Sequence, residues 1–198
     1  MSQLGQMNDE LRLCCVALYC VGPVVALVAV LRRGLKPLGK LSRVKGWRGY
    51  IPTLLLPVEW LLPPALIFLG VGEIPSDLFL LRLVGFAVGL SGAVLLVWSF
   101  VALGRFFVHD AAILQDHALI TSGPYRFMRH PVYAGYLALL LGTGVASLNL
   151  WVLLLWPLSL LGILVQAGSE EQLLGTRFGQ DYERYVGQTG QLVPRFWR

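Results

Sequence analysis

Apolar residues in this chain gather into long uninterrupted runs, not into the alternating or three-to-four spacing of a soluble domain. The runs lie at roughly 11–31, 50–72, 78–103, 131–148 and 149–168. A helix needs about 20 apolar residues to cross a bilayer, so the pattern predicts five transmembrane helices and an all-α, polytopic membrane fold. The last two runs are separated only by Ser147, Leu148 and Asn149, which predicts a tight antiparallel hairpin. No repeat or low-complexity segment divides the chain. It reads as one membrane domain, residues 1–103 supplying N-terminal helices and residues 104–198 a half richer in polar motifs.

Composition strengthens this picture, with 56% hydrophobic and 14% charged residues, well away from soluble averages. The loop after the first run carries Arg32, Arg33, Lys36, Lys40, Arg43, Lys45 and Arg48 and no acidic residue, while the next loop offers Glu73 and Asp77. The positive-inside rule makes the basic loop cytoplasmic. With five spans the N-terminus is then outside, and the 104–131 segment and C-terminal tail share the cytoplasmic face. In a bacterial cell the membrane would be the inner one. The net charge of +5 comes largely from this loop, so it signals topology and contact with anionic lipid, not nucleic acid. No basic stretch precedes the first run, so no cleaved signal peptide is expected.

Within the runs, Glu59 interrupts "PTLLLPVEWLLPP" and should face the bundle, either as a polar wall of a cavity or as a partner for backbone freed by the prolines. Arg82 stands near the end of its run and is expected to snorkel to the interface. Gly85, Gly89 and Gly92 follow the small-residue spacing that lets a neighbouring helix approach closely. Cys14, Cys15 and Cys20 share the first run with no histidine at ligand spacing, so no metal is expected there.

Chemistry concentrates in two polar segments. The first, "GRFFVHDAAILQDHALITSGPYRFMRHPVYAG", holds His109, Asp110, Asp116, His117, Tyr125, Arg126, Arg129, His130 and Tyr133. Pro131 suits the first turn of a helix, which puts Arg129 and His130 at the positive end of its dipole, suited to an anionic group. The second, "GSEEQLLGTRFGQDYERYVGQTGQLVPRFW", opens with Ser169 and Gln172 spaced as a capping box, so a new helix is expected there. Leu174, Phe178, Tyr182 and Tyr185 form an apolar and aromatic stripe, Arg177 and Asp181 an i,i+4 pair. Glu170 and Glu171 must repel each other or find cations. The histidines and acids lack tight metal-ligand spacing, and neither Thr121 nor Ser122 stands in a nucleophile elbow. A pocket for a small molecule carrying both charges fits the inventory better.

At "HALITSGPYRFMRHPVYAG", followed after a hairpin by "EEQLLGTRFGQDYERYV" and "VPRF", the sequence resembles the isoprenylcysteine carboxyl methyltransferase family and its bacterial and archaeal relatives, which also look like phospholipid methyltransferases. The resemblance covers about the C-terminal half. It implies a membrane methyltransferase using S-adenosyl-L-methionine, with a prenyl, lipid or other lipophilic small molecule as acceptor, and needing no metal. By matching position it places cofactor contacts on His117, Ala118, Leu119, Ile120, Tyr125, His130, Pro131, Val132, Tyr133 and Glu170. Arg129 would orient the loop or bind the cofactor carboxylate, and Glu171 is a candidate base, with His109 and Asp110 behind it. Where the family carries an arginine four residues before the first glutamate, this chain has Gln166, which donates hydrogen bonds but no charge. That departure opens the acceptor to an amine or thiol, unless Arg105 or the basic loop compensates.

Methyl transfer is an in-line displacement, so the protein aligns donor and acceptor and excludes water. The rival readings are a phospholipid-type N-methyltransferase, an NADPH-dependent membrane reductase, and a non-catalytic lipid-binding scaffold.

Overall fold

A computed structural model describes residues 3–33, 41–43, 51–76, 78–104, 112–114 and 118–195. Six α-helices are described: α1 (Gln3–Arg33), α2 (Ile51–Leu69), α3 (Phe79–Leu103), α4 (Pro131–Ser147), α5 (Leu150–Phe178) and α6 (Gln180–Gln188). The five long ones coincide with the five apolar runs. A 3-10 turn over Gly123–Arg126 precedes α4. Besides isolated bridges, the described residues depart from an all-helical fold in a short antiparallel pair, β1 (Leu41–Arg43) with β2 (Ala112–Leu114), Ser42 opposite Ile113.

Two of these helices are long and apolar enough to cross a membrane, α3 and α5, and only 33% and 17% of their most apolar windows are buried. A helix in a soluble core would be enclosed. Here Leu80, Val84, Val94 and Val101 on α3 and Leu154, Leu158 and Leu161 on α5 face outward, an apolar surface larger than a water-soluble domain tolerates.

The core forms where α1, α2, α3, α4 and α5 meet, around Cys15, Tyr19, Ile67, Leu96, Phe100, Leu139, Leu140 and Val152. Its tightest seam joins α3 to α4. A methyl group added at Gly85 would lie 2.5 Å from the Ala146 nitrogen, and one at Gly92 would lie 2.6 Å from the Gly135 carbonyl. Gly142 meets Gly89 in the same way from the α4 side. The small-residue spacing therefore does what the sequence predicts, letting two backbones approach where side chains would hold them apart. Tyr19 on α1 and Thr143 on α4 add a buried hydroxyl pair at 3.0 Å.

The hairpin between α4 and α5 is as short as expected. Leu148 takes the left-handed conformation (φ 48°), and the Asn149 side chain caps α5 by accepting from the Val152 amide at 3.2 Å. The α2–α3 turn docks on this hairpin through Ile74 N to Leu148 O (2.9 Å) and Leu150 N to Gly72 O (2.9 Å).

Three local expectations change. Arg82 does not snorkel: it is 2% exposed, donating to Ala146 O at 3.2 Å and to Glu73 at 3.1 Å. It stands three residues before Gly85 and so lies on the same face, turned into the α3–α4 seam. The capping box does not operate, because α5 runs on through Ser169, whose hydroxyl bonds back to Val165 O at 3.0 Å. The helix breaks instead at Gly179, where φ is +52°, a conformation glycine adopts without steric cost. The Leu174 to Tyr185 stripe is thereby split over two helices, and Asp181 pairs with Arg184 at 2.6 Å.

Candidate functional site

The start of α4 and the end of α5 come together at one end of the bundle. Hairpin geometry requires this: α4 leaves that end and α5 returns to it, so residues about forty apart in sequence become neighbours. Pro131 is the first helical residue of α4 and His130 its N-cap. Glu170 and Glu171 lie beyond the apolar run that ends near residue 168, on the last turns of α5.

Here the two polar segments interlock. His130, 6% exposed, stands between the carboxylates, with Nε2 3.1 Å from Glu171 and Nδ1 3.5 Å from Glu170. Arg129 donates from Nε to Glu171 at 2.8 Å and from Nη1 to the Thr189 carbonyl at 2.6 Å. Gln191 adds a third donor to Glu171 at 3.2 Å. Glu170 receives Tyr133 Oη–H and, at 3.3 Å, the amide of Gln166 one helical turn earlier. The His130 and Tyr133 rings stack at 5.5 Å and 14°.

The electrostatics follow from this arrangement. Burial opposes a charged imidazole, but the hydrogen bonds and charges of Glu170 and Glu171 outweigh it and hold His130 above its ordinary value. For Glu171 burial also disfavours the charge, and the hydrogen bonds and charges of His130 and Arg129 overcome it, lowering the carboxyl to about 2. A carboxylate that stable is a weak proton acceptor near neutral pH.

The C-terminal segment locks this layer. The 127–130 backbone pairs with residues 190–191: Arg129 N to Gly190 O (2.8 Å), His130 N to Gln191 O (3.1 Å) and Gly190 N to Phe127 O (3.2 Å). Tyr185 on α6 donates to the Tyr125 carbonyl at 2.7 Å. Thr189, Gly190 and Gln191 were not singled out in the sequence, and a pairing this short leaves no periodic trace. The nearby "VPRF" block was the available pointer.

Of the residues expected to hold a cofactor, His130, Tyr133 and Glu170 converge, with Gln166, Arg129 and Glu171 around them. Pro131 and Tyr125 are buried in the turn beside them. Val132 packs against the bundle core. Ala118, Leu119 and Ile120 lead into the turn, and Leu119, Thr121 and Phe127 also line a cavity of about 780 Å³ bordered on the other side by Tyr185, Gln188 and Thr189. His117, Arg105, His109, Asp110 and Asp116 lie outside the described residues.

Comparison with known proteins bears on this same stretch. Residues 83–175 match the model of the isoprenylcysteine carboxyl methyltransferase (ICMT) family. A probable protein-S-isoprenylcysteine O-methyltransferase of Oryza sativa subsp. indica is 34% identical over 118 residues, 56% of this chain and 60% of the relative. The protein-S-isoprenylcysteine O-methyltransferase of Schizosaccharomyces pombe is 36% identical over 99 residues, 48% and 42% of the two chains. A solved structure of the eukaryotic intramembrane Ras methyltransferase ICMT superposes with a TM-score of 0.52 at 25% identity, over 76% of this chain and 54% of that one. The chain thus spans 60% or less of these relatives. The resemblance seen in the sequence is to this family, and both polar segments beside the hairpin contribute to it.

Proposed function

We propose that the chain is an integral membrane methyltransferase that takes its methyl group from S-adenosyl-L-methionine and delivers it to a lipophilic acceptor. The observation that carries this reading is the Glu170 carboxylate, held by Tyr133 and Gln166 beside the stacked His130 and Tyr133 rings. It lies inside the stretch that matches the family.

A carboxylate next to flat aromatic faces suits a molecule bearing an ammonium and a sulfonium. On this fit Glu170 takes the ammonium, and Tyr125, Tyr133 and the 118–120 segment supply apolar and aromatic walls. The amides at the start of α4, beside the His130 imidazole, favour the carboxylate. When bound, the cofactor supplies an electrophilic methyl carbon. The protein's part is to fix that carbon in line with the acceptor and to exclude water. Glu171 serves this as a positioning residue: it holds Arg129 and His130, and through Arg129 it holds the C-terminal segment.

All five long helices cross the bilayer in this proposal, α2 and α4 with shorter apolar stretches than α3 and α5. The basic loop, the 104–131 segment and the C-terminus share the cytoplasmic side. The helix order supports this, since the α1–α2 and α3–α4 connections and the end of α5 fall at one end of the bundle. The relatives are named for isoprenylcysteine methylation, which supports an acceptor with a long hydrocarbon part that enters from the lipid between helices.

The test is equilibrium binding of S-adenosyl-L-methionine to the purified protein, with NADPH as competitor. Saturable binding that resists NADPH and is lost in Glu170→Ala and Tyr133→Ala supports the proposal. Absence of binding, or displacement by NADPH, sinks it.

A further inference from the structure

The cavity of about 780 Å³ beside α6 is lined by none of the groups that hold Glu170, and its charges are uneven. Arg126, Arg184 and Arg195 border it, and among the described residues on its wall Asp181 is the one acid. Arg184 and Asp181 satisfy each other at 2.6 Å. The positive charge left over belongs to Arg126 and Arg195, which reach the cavity from distant parts of the chain.

Both of these arginines are positioned by Phe127, which also lines the cavity. The Arg126 guanidinium lies over the Phe127 ring, 5.9 Å from its centre. A guanidinium stacked on one face keeps the N–H groups along its edge for a ligand. Arg195 is tied through its backbone amide to the Phe127 carbonyl at 3.0 Å and through Nη1 to the Gly187 carbonyl at 2.9 Å. Its remaining N–H groups have no partner among the described residues. One fork therefore comes from the 3-10 turn and one from the C-terminal segment, and guanidinium forks match the oxygens of a phosphate. The Thr121 hydroxyl on the same wall can add a neutral donor.

The level of the cavity along the bundle selects the source of that phosphate. Trp98, in the last turns of α3, is 48% exposed, and a methyl group added at Gly123 would lie 3.3 Å from its indole nitrogen. An exposed tryptophan near the end of a membrane helix marks the headgroup layer. Gly123 opens the same 3-10 turn that ends in Arg126, so Arg126 stands at that layer, where basic pockets meet anionic lipid headgroups. Leu119 and Phe127 give the wall an apolar part for the glycerol and the first carbons of the acyl chains.

We propose that this cavity binds the phosphate of an anionic lipid, with Arg126 and Arg195 donating to its oxygens. The inference is independent of the methyl-transfer reading and needs only that the helices lie in a bilayer. A phosphate held in this way ties the 3-10 turn to the C-terminal segment, next to the backbone pairing of residues 127–130 with 190–191.

The experiment uses the full chain in phosphatidylcholine nanodiscs, with protein-free discs as the baseline, and reads the dissociation constants of three matched probes. Dioctanoyl phosphatidic acid carries both chains and phosphate, dioctanoylglycerol the chains alone, and glycerol 3-phosphate the phosphate alone. The phosphatidic acid should bind at least tenfold more tightly than either of the others. Arg126→Gln and Arg195→Gln should each weaken it at least fivefold, and the double variant should bring it to the level of dioctanoylglycerol. Arg126→Lys, which keeps the charge and loses the fork, should fall between parent and Arg126→Gln. The unfolding midpoint and the affinity for S-adenosyl-L-methionine should not move in these variants. Equal binding of phosphatidic acid and dioctanoylglycerol, or a phosphatidic acid affinity that survives the double variant, overturns the proposal. Glycerol 3-phosphate binding as tightly as the lipid overturns the lipid source, and a parallel loss of S-adenosyl-L-methionine affinity overturns the separation from the cofactor site.

Discussion

The two ends of the helical bundle each hold arginine and glutamate in partly buried contact, and they use them in opposite ways. At the end near the α2–α3 turn, Glu73 is shared by two arginines. Arg12 from α1 takes one carboxylate oxygen and Arg82 from α3 the other, while Arg82 also reaches the Ala146 carbonyl on α4. Cations outnumber the carboxylate, and both of its oxygens are taken. At the other end Glu170 and Glu171 share one arginine and one histidine. Glu171 takes Arg129, His130 and Gln191 all on Oε1, whereas Glu170 has neutral donors on Oε1 and a more distant imidazole nitrogen at Oε2. A buried ion pair is thus no sign of a site in itself. What sets the second end apart is Glu170, a carboxylate held by neutral donors and an imidazole and, among the described residues, by no arginine.

Removing one member from the saturated cluster should be the most damaging change to the fold. Arg82→Met leaves the α4 carbonyl and one side of Glu73 without their partner, and breaking a buried pair costs about 3–5 kcal/mol. Denaturant unfolding should show a loss of that order, while cofactor affinity of the protein that remains folded stays within twofold. A similar loss of affinity would mean that the two ends are not separable.

At the other end the balance should reverse. Glu170→Ala takes away a group that is only partly committed inside the protein, so stability should fall by no more than about 1 kcal/mol. Cofactor binding should drop by a hundredfold or more, about 2.7 kcal/mol. Calorimetric binding and unfolding of the same sample check both figures. A large stability loss with small affinity loss would place Glu170 among the staples.

The comparison also shows what was readable in the residues. Five apolar runs, the short hairpin and the Gly85–Gly89–Gly92 seam were legible because membrane helices are written in composition and close packing in small-residue spacing. Convergence of His130, Tyr133 and Glu170 followed from the resemblance, and the hairpin supplies its physical reason. Position near a helix end predicts snorkelling for Arg82, but its three-residue spacing from Gly85 puts it on the face turned into the α3–α4 seam. The Ser169 capping box failed because its residues are compatible with a continuing helix, and Gly179 was the real punctuation. The carboxylate partnerships at the site and the pairing of residues 127–130 with 190–191 depend on tertiary geometry alone.

A subtler difference between the ends lies in pH. Arginines keep their charge at any accessible pH, whereas the site depends on His130, faced by Glu170, Glu171, Tyr133 and Arg129. With its folded value raised, His130 contributes fully below about 6.5, and the contribution is lost as pH climbs through that raised value. Glu171 works in the other direction, contributing above about 4.5 and losing its effect as pH falls toward about 2. The layer is therefore tightest between those two ordinary values. Hydrogen-exchange protection of residues 127–130 and 190–191, corrected for the intrinsic rate, should be greatest in that window and fall as pH rises beyond it, and His130→Gln should abolish that alkaline change. An alkaline change that persists in the variant would assign it to another group.

The smallest effect belongs to a pair at the site end that resembles the others only on paper. Arg184 and Asp181 approach to 2.6 Å, yet their side chains are 73% and 70% exposed, and exposed pairs contribute about 0–1 kcal/mol. Both border the cavity of about 780 Å³ on the α6 side, so their substitution asks whether that cavity belongs to the cofactor site. Tyr133, Gln166 and His130, which hold Glu170, are not among the residues that line it. Arg184→Ala should accordingly change stability by less than about 0.5 kcal/mol and cofactor affinity by less than twofold, at both low and high salt. A tenfold loss of affinity at low salt, recovered at high salt by neither the variant nor the parent, would extend the ligand site across α6 and make that cavity part of it.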